Sequence, residues 1–130
     1  MALANDRVVV VTGASRGAGK GIALALGATG ATVYVTGRSN KAGEGVLGTV
    51  GATAEEVTAA GGKGIAVVCD HSDDAQVKAL FDQVKKEQGH LDILVNNATM
   101  IHPELSKKGP FWEKSLDLVG ILDVGLRSHY

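Results

Sequence analysis

The run Arg7–Thr12 reads R-V-V-V-V-T. An unbroken β-branched stretch with no polar alternation suits a strand buried on both faces, which is the situation inside a parallel sheet. The signature returns at Thr32–Thr36, Gly64–Cys69 and Leu91–Asn96, and helical periodicity separates the copies. Gly19–Ala28 places Ile22, Ala23, Leu26 and Gly27 at helical offsets, small residues that permit close packing on a sheet. Asp74–Glu87 carries Val77, Leu80, Phe81 and Val84 at i, i+3, i+4, i+7, with Ser72 or Asp73 as its cap and Gly89 as its stop. Ala54–Ala60 is expected to be a further helix, with Glu55 and Glu56 in its first turn and Gly61-Gly62 ending it. Parallel strands need crossovers, so this alternation predicts an α/β, doubly wound parallel sheet with ligands beyond the carboxyl ends of its strands.

The rest of the chain has weaker periodicity. Ser39–Gly51 holds glycines at 43, 45, 48 and 51 and few large residues, and is read as a loop. Residues 98–110 have no period, and Phe111–Tyr130 is expected to be a final helix interrupted at Gly120 or Gly125. At 130 residues the chain is sized for one ordinary domain. Thirteen Lys+Arg against fourteen Asp+Glu provide no basic stripe, which disfavours nucleic acid as a partner. The charges at Asp6 and Arg7 fall where a secretory signal would be apolar, and no run is long enough to span a bilayer, so a cytoplasmic protein is expected. A lone Cys69 excludes an intrachain disulfide, and no cysteine or histidine stands at metal-ligand spacing.

Eighteen glycines are about twice ordinary usage, and they concentrate after the first strand, in Thr12-Gly-Ala-Ser-Arg-Gly-Ala-Gly-Lys-Gly21. A glycine-rich loop opening a helix presents backbone N–H groups and a positive dipole end, so an anion, above all a phosphate, fits it. The spacing G-x-G-x-x-G fails because Ile22 stands where the third glycine belongs. The triphosphate loop G-x-x-x-x-G-K-[ST] fails at Ala14 and Gly21, leaving no hydroxyl for magnesium. What remains is T-G-x-x-x-G-x-G between strand and helix.

That loop, Cys69-Asp70 closing the third strand and Asn96-Asn97-Ala98 after the fourth together resemble the short-chain dehydrogenase/reductase family. Thr36-Gly37-Arg38 and the tail from Asp123 point to one branch of it. The resemblance implies a Rossmann-like sheet of order 3-2-1-4, with residues 1–130 as the dinucleotide-binding amino-terminal part of a single domain. It implies that Gly13, Gly17 and Gly19 bend around a pyrophosphate while Ser15 and the Ala18 amide donate to it. Asp70 would accept from the adenine amino group, the His71 main chain would line that pocket, Asn97 and Ala98 would lie along the nicotinamide ribose, and Asn96 would brace the turn. The alternative for the asparagines is a turn that satisfies only its own backbone. No acid ends the second strand; Arg38 stands there instead, and Arg16 reaches the same region, so NADP(H) is preferred over NAD(H). Arg38 as an ordinary solvated cation is the competing reading.

Hydride transfer in this family, as the resemblance implies, uses Y-x-x-x-K, in which the lysine lowers the phenol pKa. Tyr34 has Arg38 four positions on and Tyr130 is the last residue, so no catalytic residue is assigned within the chain. Thr99 replaces the glycine of the family's N-N-A-G, and Gly125 stands where a catalytic asparagine is usual. The expectation is a truncated or partial NADP(H)-dependent carbonyl reductase or alcohol dehydrogenase acting on a small molecule, homo-oligomeric when complete, and as an isolated half prone to self-association. The alternative is a non-enzymatic dinucleotide-binding module.

Overall fold

The computed structural model describes residues 6–38 and 49–130. Strands β1 (Val8–Val11), β2 (Thr32–Gly37), β3 (Lys63–Val68) and β4 (Ile93–Val95) alternate with helices α1 (Gly17–Gly27), α2 (Val50–Ala59) and α3 (Asp74–Gln88). All pairings are parallel, in the order β3-β2-β1-β4. This is the expected α/β Rossmann-like sheet. The chain winds outward from β1 to β3, then crosses back to place β4 on the other side of β1, so the order reverses beside β1.

The four valines of β1 are buried on both faces. Val9 and Val11 join Ala23 of α1 and Val50, Ala54 and Val57 of α2 in one core, while Val8 and Val10 join Tyr34, Cys69 and Leu80 and Val84 of α3 in the other. α1 and α2 therefore cover one face of the sheet and α3 the other. The packing of α2 on β3 is tight at Gly64: a Cβ there would drive into the Ala54 carbonyl and approach Ala54 Cα at 2.7 Å. α3 begins under Asp73, whose carboxylate accepts from the Ala75 and Gln76 amides, and ends at Gly89 in a left-handed conformation, φ 78°.

Three expectations are corrected. α2 starts at Val50, not Ala54, because Thr49 caps it by accepting from the Ala52 amide. The loop expected over Ser39–Gly51 thus fails at Val50 and Gly51, which are helical, and its residues 39–48 lie outside the described residues. Glu55 and Glu56 then lie beyond the first turn, and Glu56 serves instead as the partner of Lys20 Nζ on α1 at 2.8 Å. The final helix reduces to short 3-10 turns and the single-turn α4 (Gly120–Asp123). Helices draw most of their stability from a buried face, and this segment buries little: Phe111 is 82% and Leu116 89% exposed.

Gly64→Ala is expected to destabilise the fold by about 3 kcal/mol, because rigid backbone on two elements would have to separate. Urea unfolding of the full-length protein checks this, and an unchanged midpoint would contradict the packing described.

Candidate functional site

The carboxyl ends of all four strands open on one cleft of about 320 Å³, within the size range of small-ligand sites. β1 contributes Gly13, Ser15, Arg16 and Gly17, β2 contributes Gly37 and Arg38, β3 contributes Cys69 to Ser72, and β4 contributes Asn97 to Ile101. Val124 from the tail closes one side.

On the β1 and β4 side the scaffold is a hydroxyl. Thr12 Oγ1 accepts from the amides of Asn97 at 3.0 Å and Ala98 at 2.9 Å and donates to the Val95 carbonyl at 3.3 Å. Asn97 Nδ2 returns across the same seam, donating to the carbonyls of Thr12 at 3.1 Å and Gly13 at 2.9 Å. The two loops are thereby one unit. Gly13, at φ 65°, approaches Ala98 so closely that a Cβ would sit 2.9 Å from its Cα. Gly19 is buried with its absent Cβ aimed at Asn97 Nδ2 and the Gly13 carbonyl. The α1 N-terminus carries no side-chain cap at Arg16, so its leading amides are not taken by the preceding side chain. Gly17, at φ 61°, has open space where a Cβ would be.

On the β2 and β3 side the chemistry is charged. Arg38 follows the last residue of β2, and among the described residues neither its guanidinium nor that of Arg16 is in an ion pair. Asp70 Oδ1 accepts from the Ser72 hydroxyl at 2.7 Å and amide at 2.9 Å; these bonds, helped by the nearby Arg38 charge, hold its carboxyl below the usual range. His71 is buried, with Nε2 2.7 Å from Thr36 Oγ1. Burial pushes its imidazole below the ordinary value, outweighing the upward pull of Asp70, and His129 adds a further downward push. Burial, reinforced by Asp70 and Asp73, pushes the Cys69 thiol up to about 11.

Of the residues singled out in the sequence, the cleft gathers Gly13, Ser15, Arg16, Gly17, Arg38, Asp70, His71, Asn97 and Ala98. Ala18 and Gly19 are not in its lining. Ala18 is exposed in the first turn of α1, and Gly19 is spent on loop packing. Bracing falls to Asn97 rather than Asn96, whose Nδ2 instead donates to the His129 carbonyl at 3.2 Å. The part of His71 that is fixed is its side chain, where only the main chain was expected to matter. Thr12 and Thr36 were missed as site residues; a threonine ending a β-branched run next to glycine or charge was the available signal. Thr99 causes no backbone strain, since every positive φ among the described residues belongs to a glycine.

A model of the short chain dehydrogenase family matches residues 7–119. The chain belongs to the short-chain dehydrogenase/reductase family. It is 46% identical to Dehydrogenase/reductase SDR family member 1 of Homo sapiens, across 97% of this chain and 39% of that protein. It is 49% identical to the Mus musculus protein of the same name, across 95% of this chain and 39% of that protein. This short-chain dehydrogenase/reductase chain therefore spans about two fifths of the length of these relatives. Among solved structures, a metagenomic short-chain oxidoreductase in complex with NADP superposes with a TM-score of 0.81 at 32% identity, covering 98% of this chain and 53% of that one. No helix among the described residues is long and apolar enough to cross a membrane.

Thr12→Val is expected to cost about 2 kcal/mol by orphaning the Asn97 and Ala98 amides, read as a lower urea midpoint. His71 makes a pH prediction. Its folded pKa lies below the unfolded value near 6.5, so the unfolded state binds the proton more readily and stability falls as pH drops from about 6.5 toward the folded value. His71→Gln should flatten that part of the pH–stability curve, and a curve parallel to wild type would remove His71 as its source.

Proposed function

We propose that residues 1–130 form the amino-terminal, dinucleotide-binding part of a single domain in an NADP(H)-dependent oxidoreductase that interconverts small carbonyl and alcohol compounds. The observation carrying this reading is the division of the cleft. Uncapped amides and open glycine at the α1 N-terminus suit a pyrophosphate, while β2 leads into Gly37-Arg38 with no carboxylate at that position. A carboxylate there would accept from a ribose 2′-hydroxyl and repel a 2′-phosphate; a guanidinium fork does the reverse. The residues thus fit the cofactor: Gly13 and Gly17 leave room for phosphate, Ser15 and the Ala18 amide donate toward it, and Arg16 and Arg38 take the 2′-phosphate. Asp70 meets the adenine amino group, with Asn97 and Ala98 beside the nicotinamide ribose.

When bound, the dinucleotide supplies hydride donation and acceptance. The chain's own contribution is to bind and orient it. We assign the acid–base tyrosine–lysine pair to residues outside 1–130, because these residues contain no Y-x-x-x-K. A cytoplasmic homo-oligomer with a small-molecule substrate fits the same reading. The competing module without chemistry differs in one respect, since the full-length protein would bind dinucleotide but reduce no carbonyl compound.

Arg38→Ala is expected to weaken NADPH binding by about tenfold or more while leaving NADH within about twofold, the loss due to a charge-assisted bond to phosphate. Titration of cofactor fluorescence in the full-length protein measures both. Equal weakening, or wild-type binding of NADH as tight as NADPH, would sink the NADP(H) assignment.

A further inference from the structure

β2 and β3 stay in register as far as Gly37 opposite Val68, and the Cys69 amide donates to the Gly37 carbonyl at 2.9 Å. Beyond that rung the two chains separate, carrying Arg38 and Asp70 to the cleft. One further tie crosses the gap, the 2.7 Å hydrogen bond between Thr36 Oγ1 and His71 Nε2. Thr36 is fully buried and His71 is 7% exposed. Such a bond is shielded from water, and removing either partner leaves the other unpaired in low dielectric.

The position of this pair sets its consequence. Thr36 stands two residues before Arg38, and His71 directly follows Asp70. Holding the hydroxyl to the ring fixes the spread between the two backbone segments from which both charged side chains depart. The imidazole also borders a second cavity of about 120 Å³, shared with Thr12, Asn96 and His129. Without its tie the ring has space to turn into, so packing alone does not set the separation.

We infer that the Thr36–His71 hydrogen bond is the positioning device for the adenosine half of the dinucleotide, setting the distance between Arg38 and Asp70 and hence the seat of the adenine and the 2′-phosphate. The inference rests on the dinucleotide reading given above and adds two positioning residues to it. Neither side chain needs to touch the cofactor. Their effect falls on one end of it, because the nicotinamide end is held by the separate Thr12 and Asn97 network.

The test uses the full-length protein with three probes, NADPH, adenosine 2′,5′-bisphosphate and nicotinamide mononucleotide. Thr36→Val and His71→Leu should raise the dissociation constants of the first two about tenfold, the worth of one buried hydrogen bond, and leave the third unchanged. Thr36→Ser and His71→Gln, which keep a hydroxyl and a side chain able to hydrogen-bond to it, should restore wild-type values. Unchanged affinity in Thr36→Val, or equal weakening of all three probes, overturns the inference. Should these apolar variants not fold, Thr36→Ala decides: a loss of about tenfold confined to the first two probes supports the tie, and wild-type affinity for all three refutes it. A wild-type protein that takes up no NADPH overturns the dinucleotide reading itself.

Discussion

A single threonine hydroxyl at the end of β1 holds together the two loops on which the cleft depends. Thr12 donates to the Val95 carbonyl that ends β4 and accepts from the Asn97 and Ala98 amides beyond it, while Asn97 sends its side-chain amide back to the β1 loop. Each loop would otherwise leave polar backbone unpaired where the sheet stops. At the opposite end of the seam Asp92 does similar work: its carboxylate accepts from the Val8 amide at 2.7 Å, and its own amide donates to the Val8 carbonyl at 2.9 Å. β4 has only three residues, so its pairing with β1 depends on these fixed ends as much as on its ladder.

The cleft follows from the reversal of strand order at this seam. Because β4 returns to the far side of β1, α3 packs on the opposite face from α1 and α2, and among the described residues no helix covers the carboxyl ends between them. Backbone amides and glycines occupy one side of the opening and charged side chains the other. The Thr12–Asn97 network and the Thr36–His71 bond fix these sides separately.

The tail is held differently. It has no apolar face seated in the core; Arg127 Nη1 meets both carboxylate oxygens of Asp74 at 3.1 Å, His129 Nε2 donates to the Ala98 carbonyl at 2.9 Å, and the Met100 amide donates to Val124. Exposed ion pairs of this kind contribute little stability. The tail is therefore tied to the loop after β4 and to the start of α3 by polar contacts, while Ile101, Leu105, Phe111 and Leu116 remain outside any core.

The amino-acid sequence by itself determined the parallel sheet, its three covering helices, the glycine loop and most of the cleft lining, because these depend on local patterning: β-branched runs that only a doubly covered strand accommodates, helical spacing in α3, and glycine where an anion must approach. It did not determine the start of α2 or the state of residues 111–130, since a cap and a buried face are settled by what lies nearby in space. The roles of Thr12, Thr36, Asn97 and the His71 ring were decided by tertiary structure alone. Each acts across a gap of 35 to 86 residues, and a hydrogen bond between neighbouring strands leaves no periodic trace along either one.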